Sequence, residues 1–137
     1  MYAIPIIFGS IKVDKAMIDL GAAINVMTLS IFTDLKLGPM KETSIIIELA
    51  NRSNSYSEGM IEDVLTNVRE LIFPVDFYII NMDDSYASNK SHILLGRPFL
   101  KTAKTKIDID KGTLSFEFDN NIVSFNMFDT MHLPNNF

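Results

Sequence analysis

One carboxylate in this chain stands where chemistry is expected. Asp19 ends the apolar stretch Met17-Ile18 and is followed at once by Leu20-Gly21-Ala22. A carboxylate at the end of an apolar strand is costly to bury unless it is used or paired. The plainer alternative is a turn aspartate that caps its own backbone, a common role for Asp-x-Gly. Other chemistries find little support. There are no cysteines, which removes disulfides, thiolate metal sites and cysteine nucleophiles. The histidines are His92, abutting an apolar strand, and His132 in the tail. Neither is near a Gly-x-Ser-x-Gly elbow, so a serine triad is not indicated. Asp108-Ile109-Asp110-Lys111-Gly112 starts like a calcium loop, but Thr113 stands at the sixth position, where that loop needs glycine. Asp83 and Asp84 read as solvated loop carboxylates. No Gly-rich phosphate cradle occurs, and neither a metal nor a cofactor is expected. A hydrolase built on this chain would have to use an activated water, and Asp19 is the group left to activate it.

The elements that must carry Asp19 follow from composition and periodicity. With 137 residues, 47% hydrophobic and 21% charged, the chain is expected to form one folded domain. A net charge of −5 gives no support to nucleic-acid binding. No apolar run reaches the roughly 20 residues of a membrane span. Residues 1–8 lack a basic leader, so an intracellular, cytoplasmic protein is the expectation.

Residues 4–8 and 11–18 read as a hairpin turning on Gly9-Ser10, with the alternation slipping near Lys15 as at a bulge. Residues 28–38 read as a helix capped by Thr28, with Leu29, Ile31, Phe32 and Leu35 on one face and Gly38-Pro39 behind. Residues 44–49 read as a strand, 50–59 as a polar tip and 60–68 as the returning strand. Residues 71–80 form an apolar strand with Pro74 at an edge or bulge. After a polar loop, 92–95 form a short buried strand, and Gly96-Arg97-Pro98 turns into a second short helix. Residues 106–126 alternate cleanly, as half-buried antiparallel hairpins do. The expected fold is all-β, a small closed barrel or sandwich of eight or nine strands with one or two short helices. Residues 1–128 form the domain and 129–137 a frayed tail.

Taken in order, these segments resemble the retropepsin-like aspartic proteases, most closely the protease segment of plant gypsy-type retrotransposon polyproteins. The likeness spans residues 4–118. Asp19-Leu20-Gly21-Ala22 stands where that family has Asp-Thr/Ser-Gly-Ala. Leu29-Ser30-Ile31-Phe32 stands at its short helix. Glu48-Leu49-Ala50-Asn51-Arg52-Ser53, leading to Glu58-Gly59-Met60-Ile61, resembles its flap hairpin and return strand. Ile93-Leu94-Leu95-Gly96-Arg97-Pro98 resembles the strand that crosses behind the catalytic loop.

The resemblance implies a closed retropepsin-like barrel that is half of a homodimeric protease. Each half supplies one catalytic Asp19 on an active-site loop of Leu20, Gly21 and Ala22. Two carboxylates roughly 3 Å apart cannot both ionise and share a proton, so one takes a proton from water while the other donates to the scissile carbonyl. The substrate would be an extended peptide or polyprotein held under a flap of Ala50, Asn51, Arg52, Ser53, Asn54 and Ser55. Leu94, Leu95, Gly96 and Arg97 would support the loop. Two departures stand out. Leu20 replaces the family's Thr or Ser, whose hydroxyl bonds to the partner's loop. Ala23 replaces a carboxylate that in retroviral relatives pairs with the arginine matching Arg97. They keep open a second reading, an inactive dimerisation or peptide-binding module of the same fold.

Overall fold

The computed structural model describes residues 2–48, 54–81, 92–126 and 131–132. The first hairpin is β1 (Tyr2–Phe8) and β2 (Ile11–Ile18). Gly9 takes φ +58 at the first turn position, where an L side chain would be strained. The ladder shifts between Ile4 and Ile6, so Asp14 and Lys15 bulge opposite Pro5. Proline has no N–H to pair, which places the slip there.

Next come β3 (Val26–Thr28), α1 (Leu29–Leu35), β4 (Ile46–Glu48), β5 (Asn54–Tyr56), β6 (Gly59–Val68), β7 (Leu71–Ile80) and β8 (Ile93–Leu95). They are followed by α2 (Arg97–Thr102), β9 (Lys106–Asp108), β10 (Thr113–Phe118), β11 (Asn121–Asn126) and β12 (Met131–His132). Six strands close a barrel in the order β1-β2-β8-β3-β7-β6, and Ile7 paired with Asn67 shuts the ring. β12 adds to the start of β1 through Tyr2 and Ala3.

Period-two burial explains the closure. Along β7, Leu71, Phe73, Val75, Phe77 and Ile79 point inward while Ile72, Pro74 and Asp76 face out. Pro74 pairs with Leu65 of β6. On its other side β3 reaches only Tyr78 to Ile80, so the missing N–H falls on an unpaired edge among the described residues. β9, β10 and β11 form a separate sheet whose Leu114, Phe116, Val123 and Phe125 are buried. Aromatic contacts join the layers: Phe73 to Phe99 at 5.4 Å, Phe99 to Phe116 at 5.9 Å and Phe116 to Phe125 at 5.9 Å. Each such buried ring contributes about 1.5–3 kcal/mol of transfer free energy. Asp119 (φ 53) and Asn120 (φ 67) make the tight β10–β11 turn with both central residues left-handed.

Four expectations change. There are twelve described strands, the additions being short pieces such as β3 and β12. The first helix ends at Leu35, because Lys36 turns left-handed (φ 52) and returns its N–H to Thr33 O. Thr28 holds the N-cap position without a side-chain cap; its hydroxyl is 2.9 Å from His92 Nδ1 instead. Ile109, read as half-buried, is 83% exposed in the turn before β10.

Candidate active site

β2 lies parallel to β8, with Met17 opposite Leu94 and Ile18 opposite Leu95. At the end of that ladder the Asp19 N–H donates to Leu95 O at 3.0 Å. The chain then leaves the sheet. Gly21 N–H donates to Asp19 Oδ1 at 2.9 Å, and Ala22 N–H to Asp19 O at 3.3 Å. The turn reading of Asp19 is therefore correct for one carboxylate oxygen. It does not remove the group from solvent: Asp19 is half-buried, Gly21 is exposed and Leu20 is 59% exposed.

The loop passes over β8 at Gly96. A Cβ there would lie 2.2 Å from Ile24 O and 2.8 Å from Ala22 O, so glycine is the residue that lets the two segments touch. Around that crossing Gly96 N–H donates to Asn25 Oδ1 at 2.8 Å, and Arg97 N–H to Ala22 O at 2.9 Å. Leu94 and Leu95 hold the loop from below: Leu95 through its carbonyl, Leu94 by pairing with Met17 and Val26. The Arg97 side chain is exposed and, among the described residues, makes no ion pair. The methyl of Ala23 offers it none.

Beside this loop lies an apolar cluster distinct from the main core. Val26, Ile47 and Ile80 are buried together, and Ile24, Tyr78 and Leu94 pack against them. It holds Ile47 of β4 against Val26 and Ile80 of the barrel sheet. The hairpin itself differs from the expected one. β4 pairs with β5, not with β6: Ile46 faces Tyr56, Ile47 faces Ser55 and Glu48 faces Asn54. The long strand β6 is committed to β7 and β1, so the polar stretch supplies the return strand itself. Of the expected flap residues, Asn54 and Ser55 lie in β5; Ala50, Asn51, Arg52 and Ser53 lie outside the described residues.

The base of the hairpin is anchored by Ser57, which is buried. Its N–H donates to Ile45 O at 3.0 Å and its hydroxyl to Gly59 O at 2.6 Å. Lys41 pairs through its backbone with Met60 and through its ammonium with Glu62. That carboxylate, by hydrogen bond and charge, raises the Lys41 pKa above its ordinary 10.5.

Two residues of this arrangement escape a reading by motif. Asn25 is 4% exposed, and its polar side chain inside the apolar run Ala22-Ala23-Ile24-Asn25-Val26-Met27 was the available signal. Ser57 gave no such signal within a polar stretch. Elsewhere, Asp108 Oδ1 accepts Lys111 N–H at 3.0 Å, so this carboxylate caps a turn. Among the described residues no three His, Asp or Glu side chains gather as a metal site, and no helix is long and apolar enough to cross a membrane.

No protein-family model matches the chain. No curated protein matches it either. Among solved structures it is similar to the crystal structure of the retroviral protease-like domain of Ddi1 from Leishmania major. The two are 20% identical over 99% of this chain and 97% of that one, with a TM-score of 0.65. The barrel thus has the retropepsin-like fold, as the order of the segments implied.

Proposed function

We propose that the chain is an aspartic endopeptidase of retrotransposon polyprotein type, working as a homodimer in which two copies of Asp19 share one site. The observation that carries this is the position of Asp19. It sits on a solvent-facing Asp-x-Gly loop at the end of β2, hydrogen-bonded to Leu95 and crossed at Gly96, in a retropepsin-like barrel. One Asp19 carboxylate, ionised, takes a proton from water as it attacks the peptide carbonyl. The other, protonated, donates to the carbonyl oxygen. An extended peptide pairs with the hairpin formed by β4 and β5, with residues 50–55 closing over it. In this reading residues 1–128 are the working domain, 129–137 a tail that is not simply frayed, since its Met131–His132 pairs back onto β1, and the protein is intracellular.

Asp19→Asn tests it directly: acid-pH cleavage of a peptide library is lost while the circular dichroism spectrum is kept. Undiminished cleavage by that variant sinks the proposal. A second reading rests on Leu20, which is exposed and has no hydroxyl with which to clasp a partner loop. In it the same dimer binds peptides without cutting them. Turnover at about pH 4 to 6 that a transition-state-mimicking inhibitor blocks excludes the inactive form.

A further inference from the structure

Asn25 is a buried, neutral side chain with both ends of its amide used. Its Oδ1 accepts Gly96 N–H at 2.8 Å, and its Nδ2 donates to Asp76 O at 3.1 Å, while its own carbonyl accepts Tyr78 N–H at 2.9 Å. The partners fix the amide's orientation, because a backbone N–H needs an acceptor and a carbonyl needs a donor. Asn25 therefore ties the far end of the Asp19 loop to two elements, the start of α2 and the middle of β7. Leu95 O, Gly96 N–H and Arg97 N–H are successive groups on one strand end, and they bond Asp19 N–H, Asn25 Oδ1 and Ala22 O in turn. Asn25 supplies the one side chain in that set; the other contacts are backbone.

We infer that Asn25 is a positioning residue, which sets where Asp19 stands by clamping Gly96 to β7 without touching the reacting atoms. The catalytic part of this inference rests on the peptidase reading above. The clamp itself does not. An isosteric carboxylate can still accept from Gly96, but when ionised it faces the Asp76 carbonyl with no proton to donate. When protonated it reproduces the amide's pattern of one acceptor and one donor. The other charged groups near the clamp are the Asp63 and Asp76 carboxylates, which line the same groove, Asp19 at the loop's start and Arg97 at the start of α2. Asp76 Oδ1 is itself occupied by Asp63 N–H at 2.9 Å. The Asp63 and Asp76 carboxylates act with burial to keep the carboxyl of Asn25→Asp protonated and Arg97 acts against them, whereas Asn25→Ala has no such group and reports the loss of the clamp alone.

The test reads Asn25→Asp and Asn25→Ala for turnover against pH and for amide hydrogen exchange at Asp19 and Gly96. At about pH 6.5, Asn25→Asp loses on the order of 10²-fold in kcat with KM within about threefold, the signature of displaced catalytic geometry. As pH falls toward about 4 its kcat returns to within about threefold of the wild type, because burial raises the new carboxyl's pKa and protonates it. Asn25→Ala shows the loss without the return. Exchange at the Asp19 amide, which Asn25 does not contact, rises about tenfold in Asn25→Ala and recovers with acid in Asn25→Asp. Parallel pH profiles for wild type and Asn25→Asp overturn the inference. So does an Asp19 amide that is unmoved in both variants, or a wild-type Gly96 amide that exchanges as fast as open loop. If neither variant folds, that wild-type measurement still decides. If the wild type cleaves nothing, the peptidase reading fails and the exchange results judge the clamp alone.

Discussion

Between Asp19 and Asn25 the chain is bonded on three sides: to Leu95 at one end, to Gly96 and Arg97 at the crossing, and to Asp76 and Tyr78 beyond. The β4–β5 hairpin, which carries Ile47 in the same apolar cluster, pairs with itself across three residue pairs and, among the described residues, forms a sheet with no other strand. Its ties to the barrel include Ile47 in the cluster, Ser57 and Glu58 at its base, both bonded to Ile79 O, and Lys41 beside Met60. One wall of the site is thus built into the barrel, while the other is a two-stranded attachment. A small hairpin of this kind is marginal by itself and draws its stability from what its apolar face covers. A reaction that needs a fixed carboxylate and an extended substrate admitted from solvent fits that division.

Substitutions on the two walls should therefore differ in kind. The largest effect is expected at Asp19. Asp19→Asn should reduce kcat for acid-pH peptide cleavage by about 10³-fold or more, with the melting temperature nearly unchanged. Gly96→Ala comes next, since the new methyl meets Ile24 O and Ala22 O. It should cost about 3 kcal/mol of stability, read as a shifted urea midpoint at constant m. On the other wall Ile47→Ala should act on binding: KM should rise about tenfold, with kcat held and little change in global melting. A global melting loss as large as that of Gly96→Ala would erase the contrast.

The smallest effect is expected at Lys41. Its pKa is raised by Glu62, so its pairing contributes fully below 10.5 and is lost only as pH rises through the higher folded value. The pair is exposed, and Lys41→Met should leave the melting temperature within about 1 °C from about pH 5 to 8, by differential scanning calorimetry.

Local sequence determined much of this protein. The alternation along residues 11–18 and the continuous apolar run 71–80 each marked a strand with those bounds, although the period of two along 71–80 shows only in which side chains the barrel buries. The bulge by Lys15, the Gly9 turn, Pro98 in the first turn of α2 and the Asp19 turn were equally legible, each set by residues close together in sequence. Tertiary structure decided what depends on partners far away in the chain. β3 is three residues long and exists because β7 and β8 flank it. β6 joins β7 and β1, which leaves β4 to pair with β5. Thr28 spends its hydroxyl on His92, 64 positions away, instead of capping α1. Asn25 and Gly96 matter because the barrel brings positions 71 apart into contact at 2.8 Å. Periodicity and turn chemistry are properties of neighbours in sequence. The setting of Asp19 is a property of a closed ring of strands, and only the fold could bring its parts together.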